Sequence, residues 1–213
     1  MREQAVASIR RLDALGLNRG STGNLSLRCP REGREGMLIT PTGMGADDLQ
    51  PEHLVWLGWD GSVQGDWQPS SEWHFHRALL QHRGDLQAVV HTHSVHATAL
   101  ACLERELPPF HYMVAVAGGS SVPCTPYHTF GSEALSAAVV QALAERNACL
   151  MAHHGLVAAG ATLAQAMKIA IEIESLCEVY LKLLAVAEPR LLSDAQMAEV
   201  LHKFSRYGSR RRR

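Results

Sequence analysis

Long apolar runs are missing from this 213-residue sequence. No segment approaches the roughly 20 residues a membrane-spanning helix requires, and the stretch from Met1 to Arg11 has no hydrophobic signal core. The expectation is a cytoplasmic protein with no membrane partner. Charge is scarce too. Charged residues make up 19% of the chain and the net charge is −1, which argues against a general nucleic-acid binder. Cysteine is sparse and scattered: Cys29, Cys102, Cys124, Cys149 and Cys177 form no C-x-x-C pair, so buried free thiols are expected. Neither G-x-x-x-x-G-K-S/T nor G-x-G-x-x-G occurs, and nucleotide binding through those loops has no support.

What is present is an apolar fraction of 46%, enough for the core of a single domain. Ala5, Ile9, Leu12 and Leu15 recur at helical spacing before Gly16. Short strands are expected at Leu25–Leu27 and Met37–Thr40. Another, at His53–Gly58, precedes an Asp60-Gly61 hairpin turn. Glu72–His82 reads as a helix behind Ser70-Ser71, and Gln87–His93 as a strand rich in β-branched residues. Thr98–Arg105 reads as helix, Val114–Ala117 as strand, Ser132–Glu145 as helix and Ala148–Ala152 as strand. Thr162 with Gln165 forms a capping-box pattern at the head of a long helix ending near Ala187, and Leu191–Phe204 is the last helix. Strands interrupted by helices, with hairpins among them, indicate an α/β or α+β layered domain. The basic end, Ser209–Arg213, reads as a solvated tail.

The histidines are placed unusually. AVVHTHSVHATA, from Ala88 to Ala99, sets His91 and His93 two apart on a strand and hence on one face, a spacing that suits chelation. A second pair, His153-His154, follows another apolar strand and precedes Gly155. Imidazoles at two strand ends point to one shared divalent ion, zinc first, with iron, nickel or cobalt as lesser options. An H-x-H pair also serves purely structural roles, and His96 lies past the strand end. Glu72 is a possible acidic companion, although acidic residues in a first turn commonly serve the helix dipole.

Three turns offer backbone amides and hydroxyls: Gly20-Ser-Thr-Gly-Asn24, Thr40-Pro-Thr-Gly43, and Ser70-Ser71. Each is ordinary turn or cap chemistry alone. Together they resemble a phosphate cradle with no lysine in it.

The motifs GLNRGSTGNLSLR, GMLITPTGM, PSSEWHFH, AVVHTHSVH, HYMVAVAGGSSVPC, PYHTFGS, MAHHGL and LHKFSRYG occur in that order. With them the chain resembles the class II aldolase/adducin family from about Leu15 to Tyr207. The resemblance implies a three-layer domain over 1–205, with a largely antiparallel central sheet flanked by helices, and a basic tail at 206–213. It implies zinc held by Glu72, His91, His93 and His154. A phosphate site at Gly23, Asn24, Thr42, Gly43, Ser70 and Ser71 follows from it as well. Tyr112, lent by a neighbouring subunit of a homotetramer, would act with Glu72 in catalysis, and Phe130, Phe204 and Tyr207 would lie near the aldehyde end. The implied reaction is reversible cleavage of a sugar phosphate, L-fuculose 1-phosphate first, to dihydroxyacetone phosphate and a short aldehyde. Other ketose 1-phosphates, an epimerase, dehydratase or decarboxylase on the same metal site, and a non-catalytic adducin-like module are the rival readings.

Overall fold

The protein is described over residues 1–204, from a computed structural model. Eight strands form one sheet in the order β4-β3-β2-β1-β5-β8-β7-β6. They are β1 (Asn24–Arg28), β2 (Gly36–Ile39), β3 (Val55–Gly58), β4 (Val63–Gln64), β5 (Ala88–Thr92), β6 (Cys124–Thr125), β7 (Ala148–Met151) and β8 (Gly155–Gly160). Every pairing in this sheet is antiparallel except β6 with β7.

Successive strand residues face opposite sides, and here both sides are apolar. Ala88 and Val90 of β5, with Leu156 and Ala158 of β8, join a core that includes residues of α1 (Arg2–Ala14), α3 (Val95–Cys102) and α5 (Leu163–Leu184). Val89, Val157 and Ala159 join a second core with Phe75, Leu79 and Leu80 of α2 (Trp73–His82) and Leu135 and Val139 of α4 (Glu133–Ala142). A sheet covered on both faces explains why its central strands read as continuous apolar runs. The result is the expected three-layer arrangement. The last helix, α6 (Asp194–Phe204), buries Met197.

Several expectations need correcting. Val114–Ala117 is not a strand: Tyr112–Ala117 forms a 3-10 turn, begun by a bond from Met113 N–H to the His111 ring and closed at Gly118 with φ +84°. A short apolar run cannot distinguish the two by periodicity. Helix α3 starts at Val95, ahead of Thr98, because the Glu174 carboxylate accepts from the backbone N–H groups of His96 and Ala97. The capping glutamine reaches one residue further than the motif suggests. Gln165 N–H donates to Thr162 Oγ1, while Gln165 Oε1 accepts from Ala161 N–H. Of the cysteines, only Cys149 and Cys177 are buried, and burial pushes both thiols well above their ordinary pKa. Among the described residues, no helix is long and apolar enough to cross a membrane.

Candidate metal centre and anion cradle

One end of the sheet gathers the chemistry. Strand β1 begins where β5 ends, and Asn24 stands opposite His91 in their antiparallel register. Strand β8 runs antiparallel to both β5 and β7, so the tight β7–β8 turn carrying His153 and His154 arrives at the same edge. Two glycines make this close approach possible. A Cβ on Gly155 would lie 2.4 Å from the Thr92 carbonyl oxygen, and one on Gly23, at φ +74°, would lie 2.3 Å from Asn18 Oδ1.

His91, like Val89, faces the α2 side, and its ring is fully buried. Its Nδ1 lies 2.9 Å from the Leu156 carbonyl oxygen. A carbonyl only accepts, so Nδ1 carries the hydrogen and Nε2 is the nitrogen turned to the cluster. That nitrogen lies 2.9 Å from His93 Nε2 and 3.1 Å from Glu72 Oε2. His154 Nε2 lies 3.0 Å from Glu72 Oε1, yet this buried oxygen accepts no aligned hydrogen bond. All four donor atoms fall within 4.8 Å of one another. Ring nitrogens crowded against one another and against a carboxylate, with one of its oxygens unmatched, are the arrangement a cation relieves. Nitrogen and carboxylate donors in this number suit a divalent ion such as zinc, and the carbonyl behind His91 fixes its tautomer as ligating histidines require.

Glu72 stands at the N-cap of α2, but its side chain makes no capping bond. Its carboxylate turns instead to the histidines and accepts from Asn24 Nδ2 at 2.9 Å, so the helix-dipole reading gives way. Burial would raise its pKa, but the adjoining His91 and His154 outweigh burial and hold it well below the usual carboxylate range. Burial, with His91 and His154 adding to it against Glu72, lowers the His93 pKa to about 4, so that ring is neutral near pH 7. His96 plays no part here; its Nδ1 lies 2.8 Å from Glu174 at the start of α3.

Beside this cluster lies a cavity of about 310 Å³. Gly23, Asn24, Thr42, Gly43, Ser70 and Ser71 all line it, together with Glu72, His93 and His154. The turns meet through backbone bonds: Thr42 N–H donates to Gln68 O and Ser70 N–H to Thr40 O. Among the described residues, no lysine or arginine lines the cavity, and what they offer an anion there is amides and hydroxyls.

Phe130 lines the outer part of the same cavity, with Tyr127, His128 and His153. Tyr127 has the neighbouring TFG motif as its only signal in the sequence, and His153 of the expected histidine pair lies outside the donor cluster, its Nε2 2.9 Å from Glu104 Oε1. Tyr112 is 50% exposed and does not line its own chain's cavity. Phe204, at the end of α6, does not line it either, and Tyr207 lies outside the described residues.

A layered sheet with three imidazoles and a carboxylate converging at its edge defines a divalent-metal enzyme. Residues 3–181 match the family described as Class II Aldolase and Adducin N-terminal domain. The chain is 46% identical to a 5-methylthioribulose-1-phosphate/5-deoxyribulose-1-phosphate aldolase of Rhodospirillum rubrum, over 98% of this chain and 92% of that protein. It is also 46% identical to the L-fuculose phosphate aldolase of Escherichia coli K12, over 97% of this chain and 95% of that one. A solved L-fuculose 1-phosphate aldolase superposes with a TM-score of 0.91 at 35% identity, covering 96% of this chain and 95% of the other. The chain belongs to the class II aldolase/adducin family, and within it to the metal-dependent aldolases.

Proposed function

We propose that the chain is a zinc-dependent aldolase that reversibly splits a ketose 1-phosphate into dihydroxyacetone phosphate and a short aldehyde, with L-fuculose 1-phosphate as first substrate. The observation that carries this reading is the placement of Glu72. Its carboxylate belongs to the donor cluster and to the wall of the cavity that holds the uncharged cradle.

Glu72, His91, His93 and His154 would hold the ion, whose chemistry is Lewis-acid stabilisation of the negative charge released when a bond beside a carbonyl opens. In the synthetic direction, Glu72 takes the proton from C3 of dihydroxyacetone phosphate, and C3 then attacks the aldehyde carbon. The phenol of Tyr112, from a neighbouring copy, donates its proton to the aldehyde oxygen, which becomes the C4 hydroxyl. The proton on Glu72 returns to Tyr112 through solvent, and cleavage runs the same steps backwards. The cradle formed by Gly23, Asn24, Thr42, Gly43, Ser70 and Ser71 receives the phosphate and fixes C3 beside Glu72, and positioning of this kind removes several kcal/mol from a barrier.

A second reading is supported by the equal identity to the Rhodospirillum relative. On that reading 5-methylthioribulose or 5-deoxyribulose 1-phosphate is cleaved. Both substrates, like L-fuculose 1-phosphate, end in an apolar group. Tyr127 and Phe130, exposed by 58% and 66%, line the outer part of the cavity and suit such an end. An adducin-like module has no need of the four donors.

The test is a panel assay of the purified, zinc-loaded protein for dihydroxyacetone phosphate release from these substrates and from ribulose 1-phosphate. The proposal expects release from at least one, abolished by a chelator and restored by zinc. Release from none, or full release after chelation, would sink it.

A further inference from the structure

Helix α2 carries an imidazole one turn beyond Glu72, on the same side, and none of the steps above uses it. His76 is fully buried. Its Nε2 lies 2.5 Å from Asn24 Oδ1 and its Nδ1 lies 2.8 Å from Ser26 Oγ. Asn24 Nδ2 in turn donates to Glu72 Oε2 at 2.9 Å. The periodicities account for the meeting: Asn24 and Ser26 are two apart on β1, and Glu72 and His76 are four apart along α2.

The direction of every bond follows from the carboxylate. Glu72 only accepts, so Asn24 must present its NH2 group to it. The other end of that amide is then a carbonyl oxygen, which obliges His76 Nε2 to carry the hydrogen. Burial, with His91 adding to it against Glu72, lowers the His76 pKa to about 3 and keeps the ring neutral. Its Nδ1 therefore accepts, and the Ser26 hydroxyl donates. Four side chains thus form a one-way series of donors ending on the carboxylate.

We infer that His76 is a positioning residue: it locks the Asn24 amide with its NH2 group towards Glu72, and through Asn24 it fixes the carboxylate among the metal-binding donors. This rests on the aldolase reading for the role of Glu72. Without the His76 donor the Asn24 amide is free to turn over, and an oxygen facing a carboxylate repels it. A leucine would fill the space but strand the buried Asn24 carbonyl oxygen and Ser26 hydroxyl, so it is the hydrogen bonds and not packing that call for an imidazole here.

The test compares His76→Leu, His76→Gln and Ser26→Ala with the wild type, using steady-state cleavage and a chelator titration of the zinc-loaded proteins. Removing groups behind metal ligands typically costs ten- to a hundredfold in affinity or activity. His76→Leu should therefore lose roughly tenfold or more in kcat, release zinc at about tenfold less chelator, and keep KM within about twofold. His76→Gln supplies an N–H to Asn24 and should stay within about threefold of wild type in both measurements, with Ser26→Ala showing a smaller loss in the same direction as Leu. A folded His76→Leu with wild-type kcat and zinc release overturns the inference. A His76→Gln as impaired as His76→Leu, or an effect confined to KM, overturns it too. Should His76→Leu not fold, Ser26→Ala decides, and wild-type kcat and zinc release there refute the relay. If wild-type protein cleaves nothing, the aldolase reading has failed. The chelator titration then still decides the positioning, because equal zinc release from wild type and His76→Leu refutes it.

Discussion

Gly155 lies against the Thr92 carbonyl so closely that a Cβ would stand 2.4 Å from its oxygen and 3.4 Å from His91 Cε1. The residue follows His154 and opens β8, so its missing side chain lets β8 approach β5 where the histidines leave the sheet. Gly155→Ala should therefore cost about 1–3 kcal/mol of stability through overpacking against backbone, and should weaken zinc retention. Urea melts with and without chelator measure both effects, and a variant matching wild type in each would show that the contact relaxes freely.

Glu72→Gln keeps an oxygen donor and the shape of the side chain but removes the base. Zinc content should remain close to stoichiometric while kcat falls by about 10²–10⁴-fold, the range typical of general acid–base groups. Metal analysis of the purified variant beside its cleavage rate makes the distinction. Unchanged turnover would take Glu72 out of the proton transfer.

Tyr112 is half-exposed and absent from its own cavity. If a neighbouring copy supplies it, Tyr112→Phe and Glu72→Gln are each nearly inactive alone but complement each other when co-refolded. In a cyclic oligomer with random mixing, about a quarter of the sites regain both groups. Activity of the mixture near that fraction is the expected result, and no recovery would place Tyr112 elsewhere.

Acid should weaken the fold through His76. Its pKa falls from the ordinary 6.5 to about 3 in the folded protein, so the unfolded chain binds the proton first. The contribution is whole above about pH 6.5 and declines towards pH 3 at about 1.4 kcal/mol per pH unit, or about 2 kcal/mol by pH 5. Urea melts at pH 7 and pH 5 should show a flatter pH dependence in His76→Gln than in wild type. Equal slopes would mean that His76 does not titrate this way.

The histidine spacing, the Ser70-Ser71-Glu72 run and the order of motifs were legible before any coordinates, because period-two strands and helix starts are local properties. The run Gly155–Gly160 was not read as a strand, since an apolar segment buried on both faces has no alternation to betray it. Val114–Ala117, part of a 3-10 turn, reads as a strand for a like reason, since a short apolar run carries no period. The bonds from Asn24 to Glu72 and His76 were hidden because they join residues 48 and 52 positions apart. Only the β1–β5 register and the seating of α2 bring them together.

Because, among the described residues, neither lysine nor arginine borders the cavity, the cradle recognises the phosphate by hydrogen bonds at close range rather than by side-chain charge. The salt dependence of substrate encounter should then come from the metal ion more than from the cradle.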